Sequence, residues 1–153
     1  MYMKFLLVLL LALLNTASAD NISHLKMDGW STHVPNIVLC NNIQIPDQVI
    51  NTAITQWKER GMKIGKVIRK SCNKTPNYGE IAFYVDDKIV GSNEGYAIRN
   101  VYSGTNDIAY ARIWIKSYNL DSKILIEHEI GHGLGYTDTT SSGSIMSKHG
   151  AIY

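Results

Sequence analysis

The sequence predicts a single α/β (α+β) domain in which two main helices pack on a twisted, mixed sheet of five strands. Three observations predict it. Short runs rich in β-branched and aromatic residues recur between turn signals, and the run at 108–115 is the strongest strand signal. An amphipathic stripe with helical spacing separates the first two of these runs. A second helical stretch follows the last run, giving the order β-α-β-β-β-β-α and implying a sheet with helices laid on it.

The elements follow in order. Residues 33–40 hold Val34, Ile37, Val38 and Leu39 and read as the first strand. Pro46 suits the first position of a helix. From there Val49, Ile50, Ala53, Ile54 and Trp57 make one apolar face, closed by Gly61, with Trp57 a core anchor. Residues 62–70 read as a second strand, 73–79 as a loop with Pro76 and Gly79, and 80–86 as a third strand. A turn-rich stretch at 91–95 leads into a strand at 96–102, and residues 103–107 turn again. Along 108–115, Ala109, Ala111, Ile113 and Ile115 share one face while Ile108, Tyr110, Arg112 and Trp114 share the other. A helix over 121–135, capped by Asp121, completes the list.

The N-terminus predicts export. Lys4 supplies a basic n-region, residues 5–14 an apolar stretch too short to span a membrane, and Ala17-Ser18-Ala19 a cleavage site. Residues 1–19 are thus expected to be a signal peptide, and 20–153 one exported domain. Loss of Lys4 lowers the formal net charge from +2 to +1, which argues against nucleic acid or a membrane surface as partner. In an exported chain the two cysteines, Cys40 and Cys72, are expected to form a disulfide worth about 2–4 kcal/mol; two buried free thiols are the alternative. Asn21-Ile22-Ser23 and Asn73-Lys74-Thr75 match the glycosylation acceptor pattern, which alone decides nothing.

The chemistry concentrates at residues 128–138, which read H-E-x-x-H-x-x-G-x-x-D. Four residues apart on a helix, His128 and His132 share a face and can hold one Zn²⁺ at about 2.0–2.1 Å per nitrogen. Glu129 lies beside them, placed to act as general base on a water. Gly135 can turn the chain back through positive φ so that Asp138 delivers a third ligand. A fourth position then stays open, which is the mark of a catalytic rather than a structural zinc. His149 is the competing third ligand. His24 and His33 read as surface residues.

This motif resembles the zinc signature of the metzincin endopeptidases, whose usual third ligand is histidine, and Asp138 is similar to the ligand of their snapalysin-type variant. The layout is matrixin-like. The helix ending in Ala53 and Trp57 resembles the first matrixin helix, and Gly95-Tyr96-Ala97 resembles the segment that opens the edge strand above the cleft. Ser144-Ile145-Met146-Ser147 resembles the Met-turn, with Met146 beneath the metal; a gap-filling core thioether is its other reading.

The resemblance implies a secreted zinc endopeptidase, monomeric, with one catalytic ion and a protein or peptide substrate extended along Tyr96, Ala97 and Ile98. Residues 139–151 would wall the pocket beyond the cleaved bond, and Tyr136, Tyr153 or backbone amides would stabilise the oxyanion. Three departures stand out. Asp138 adds a negative charge, expected to weaken the Lewis acidity. Lys148 stands where some metzincins have a tyrosine after the turn. No propeptide with a cysteine switch is expected. The competing function is a metzincin-scaffold binding or effector protein with little turnover.

Overall fold

A computed structural model describes residues 22–41 and 43–148. The signal peptide expected at 1–19, His149, Tyr153 and the end of the 139–151 loop lie outside the described residues. The chain forms β1 (Asn36–Cys40), α1 (Asp47–Glu59), β2 (Val67–Lys70), β3 (Glu80–Val85), α2 (Asp87–Val90), β4 (Gly95–Val101), β5 (Ile108–Ile115) and α3 (Lys123–Gly133), after a single 3-10 turn at Ser23–Leu25. The five strands make one mixed sheet in the order β2-β1-β3-β5-β4. β2, β1, β3 and β5 run parallel, and β4 lies antiparallel to β5 at an edge.

Alternation along the strands decides which side is covered. Ile37, Leu39, Ile81, Phe83, Ala111, Ile113 and Ile115 join Ile50, Ala53, Ile54 and Trp57 of α1 and Ile126 and Ile130 of α3 in the main core. Their burial supplies the bulk of the folding free energy, at about 25 cal/mol per Å² of apolar surface. The opposite face is thinner, with Val38, Cys40 and Ala82 packed against Ile68, Cys72 and Tyr84. Tyr84, Trp114 and Tyr96 are cross-strand partners there, and their rings stack at 5.9 Å centroid spacing. Such pairs tie neighbouring strands together.

Cys40 and Cys72 are joined in a disulfide with Cα atoms 5.3 Å apart. Cys40 pairs with Lys70 in the ladder, so the bridge links the end of β1 to the residue pair just beyond β2. α1 and α3 pack side by side, and the buried Trp57 indole donates from Nε1 to Glu127 O at 2.7 Å. This bond crosses from one helix to the other and sets their relative height.

Several boundaries differ from the sequence expectation. β1 starts at Asn36 because Pro35 has no N–H to donate to a ladder. β2 starts only at Val67: Gly65 N donates to Pro35 O and Lys66 N to the Asn36 side chain, a local clasp in place of strand pairing. Pro46 is the N-cap of α1 rather than its first residue. The short helix α2 was not expected; the Asp86 side chain accepts from Lys88 N and Ile89 N and nucleates it. Ser122, not Asp121, caps α3, accepting from Leu125 N.

Candidate metal centre

α3 carries two of the three converging side chains. His128 and His132 stand one turn apart, their rings perpendicular with centroids 4.7 Å apart. The helix then stops because Gly135 takes φ 106°, with Gly135 N donating to His132 O and Tyr136 N to Gly131 O. This paired closure satisfies carbonyls left free at the helix end. Asp28 O lies so close that a Cβ on Gly135 would fall 2.1 Å from it, so glycine is required for space as well as for φ. The reversed chain brings Asp138 Oδ1 to 3.2 Å from His128 Nε2 and 3.1 Å from His132 Nε2.

The outer nitrogens are pinned by backbone. His128 Nδ1 donates to Ile145 O and His132 Nδ1 to Tyr136 O, each at 3.0 Å. A carbonyl only accepts, so both protons sit on Nδ1 and both Nε2 lone pairs face Asp138. Two lone pairs and a carboxylate oxygen directed at one another repel unless a proton or a cation lies between them. The donor set therefore fits a cation, and the three residues form a group that could hold a metal ion. A proton on His132 Nε2 would answer the same repulsion. Burial disfavours charge on His132, but the hydrogen bond to Asp138 and the nearby Glu129 outweigh it and raise its pKa. That hydrogen bond also leads in lowering the pKa of Asp138. Burial, with the neighbouring His132, lowers that of His128.

Glu129 is 4% exposed, and its Oε2 has no hydrogen-bond partner among the described residues. Burial pushes its pKa up to about 7. It lies behind Gly95, the first residue of β4, in an open cleft of about 960 Å³ that also exposes Ala97, His128, His132 and Asp138. Tyr96, Ala97 and Ile98 lie on β4, which pairs with β5 on one side only.

Residues 144–147 close beneath α3. Ser147 N donates to Ser144 O, and Thr139 N and Met146 O bond at 2.8 Å, tying this turn to the chain just past Asp138. Met146 is fully buried, with Sδ against Gly131 between the two histidines. The turn's carbonyl at Ile145 is the one that orients His128. No protein-family model matches the chain, and no curated protein matches it. The mixed five-stranded sheet with its His/His/Asp group is compatible with a metzincin-like fold.

One expectation is corrected. Tyr136 is not placed to stabilise an oxyanion in the cleft: its ring lies 5.0 Å from that of Trp57 in the core, and its hydroxyl contacts Met62 Sδ at 3.3 Å. His24 and His33 are exposed and apart from the centre. Sequence reasoning missed the carbonyls of Ile145 and Tyr136, which leave no trace in residue type. It also missed Arg99 and Asp28, which reach the site only through the folded chain.

Proposed function

We propose that this chain is a secreted zinc endopeptidase of the metzincin class, matrixin-like in layout with Asp138 as a snapalysin-type third ligand. The observation that carries the reading is the convergence of His128, His132 and Asp138 beside a buried Glu129 whose Oε2 has no hydrogen-bond partner among the described residues, in a cleft bordered by an edge strand. Two imidazoles and one carboxylate form a ligand set suited to a catalytic zinc. Zinc, when bound, supplies Lewis acidity toward a carbonyl oxygen and toward water.

The chain's own residues do the rest. The Glu129 carboxylate takes a proton from the attacking water and returns it to the departing amine. Burial, which favours its protonated form, suits a group that must take up a proton and give it back. β4 offers its free edge to an extended peptide, whose main chain would add as a further strand. The pinned Nδ1 atoms keep both imidazoles aimed at the ligand position through the cycle.

The test is a peptide library digested by wild-type and Glu129→Ala protein, with zinc content measured on both. Wild type is expected to cleave in a chelator-sensitive manner. The variant should keep its zinc and lose about 10²–10⁴ in rate. Wild-type protein that holds zinc yet cleaves nothing across the library would instead establish a binding or effector protein built on this scaffold.

A further inference from the structure

The guanidinium of Arg99 lies against the metal-ligand turn. Arg99 belongs to β4, and its Nε donates to Asp28 Oδ2 at 2.9 Å. Its Nη1 donates to His132 O at 3.1 Å and to Tyr136 O at 3.4 Å. Tyr136 O is also the acceptor for His132 Nδ1. One carbonyl is thus gripped by Arg99 and by the imidazole together, and where that carbonyl sits decides how His132 is turned. Asp28 is itself fixed to the same turn, since Met27 N and Asp28 N both donate to Gly135 O.

We infer that Arg99, steered by Asp28, is a positioning residue for His132, holding its imidazole in the orientation that presents Nε2 to the metal. The inference rests on the metal reading above. A cation at the C-terminal end of α3 is also favoured by the helix dipole. That alone would need only charge, and a lysine would serve. The geometry here uses the fork: one edge serves a carboxylate while another donor reaches two carbonyls, which a single ammonium cannot reproduce. Arg99 and Asp28 are both about four-fifths buried, so loss of either leaves the other's charge without its partner. The N-terminal segment and the edge strand thereby meet at the ligand turn.

The experiment uses the full chain and its Arg99→Met, Arg99→Lys and Asp28→Ala variants. Two quantities are read: the imidazole Nδ1–H resonances of His128 and His132 in metal-free protein, and zinc affinity by competition with a chromophoric chelator. Arg99→Met should shift or broaden the His132 resonance, leave that of His128 in place, and weaken zinc binding about 10–100-fold, as expected for an outer-shell partner. Arg99→Lys should fall between wild type and Arg99→Met. Asp28→Ala should move the same two readouts in the same direction. A lowered melting midpoint with an unmoved His132 resonance and wild-type zinc affinity overturns the inference, leaving Arg99 as a helix-end cap only. If Arg99→Met does not fold, Asp28→Ala decides by the same criteria. If wild type takes up no zinc, the metal reading fails, and the His132 resonance alone decides the role of Arg99.

Discussion

Gly95 and Glu129 are packed so closely that position 95 has no room for a side chain. A Cβ there would lie 2.3 Å from Glu129 Oε1, 2.6 Å from Cδ and 2.8 Å from Cγ. The start of the edge strand and the buried carboxylate therefore share one space, and the absence of a side chain on one permits the placement of the other. Gly95→Ala is expected to drive Glu129 from its position; on the endopeptidase function proposed above, peptide cleavage should fall at least about tenfold, since misplacement of a catalytic group by an ångström can cost more than that. Zinc content should be unchanged. Parallel assays of turnover and bound metal check both halves.

Gly131 presents two opposing effects of known size. Alanine is the better helix former by about 1 kcal/mol. Its Cβ, however, would lie 2.4 Å from Met146 Sδ and 2.5 Å from Trp57 Cζ2. Both neighbours are fully buried, and Trp57 is held by its bond to Glu127 O, so neither can retreat freely. Overpacking of this kind costs about 1–3 kcal/mol. Gly131→Ala should therefore be net destabilising, seen as a lower urea midpoint with an unchanged slope.

Replacing both Cys40 and Cys72 with serine should remove about 2–4 kcal/mol of stability. The two lie 32 positions apart in the sequence, and Cys40 is 2% exposed, so a polar hydroxyl in its place adds a desolvation cost. The melting midpoint of wild type should fall toward that of the double variant when a phosphine reductant is added. A midpoint indifferent to reductant would reject the expected contribution.

Acid should loosen the fold through Asp107. The amide of Ser31 and the hydroxyl of Thr32 hydrogen-bond its carboxylate and hold its pKa down from 3.8 to about 2. A depressed carboxyl stabilises the fold above its unfolded pKa and loses that contribution as pH falls through the folded one. Glu80 adds in the same sense: burial opposes its ionisation, but Lys70 and Asn77 prevail and lower its pKa. Stability should thus decline below about pH 4, and Asp107→Asn should flatten that limb. Melting midpoints between pH 2 and 6 measure the difference.

Asp138→Asn tests the third ligand. It keeps the shape and removes the charge by which the group could draw a cation between His128 and His132. Zinc affinity should fall by more than the roughly 10–100-fold typical of outer-shell changes. His149→Ala, outside the described residues, should leave affinity as it was. The reverse result would transfer the third-ligand role to His149.

What the sequence determined by itself is what local periodicity and local sterics control. The nearly continuous run of apolar and aromatic residues over 108–115 located β5 residue for residue, and the stripe from Val49 to Trp57 located α1 and its buried face. The four-residue interval between His128 and His132 placed both rings on one side of α3, because helical geometry needs only the chain's own backbone. Gly135 was legible as a turn for the same reason. The cysteine pair was legible too, because Cys40 ends the first expected strand and Cys72 follows the second, and the sheet register shows those two strands as neighbours.

The tertiary structure alone decided the rest. Asp138 meets the histidines because Gly135 turns against Asp28, a contact between segments distant in the chain, and because Thr139 is tied to Met146 within the following loop. The histidine tautomers depend on the carbonyls of Ile145 and Tyr136, and every residue carries a carbonyl, so no side chain announces which ones will serve. Tyr136 could have faced the cleft by sequence position, yet its aromatic ring gained more by packing on Trp57. Arg99 reads in sequence as one more charge on an edge strand. Its place behind His132 exists only once the N-terminal segment, β4 and the end of α3 have met.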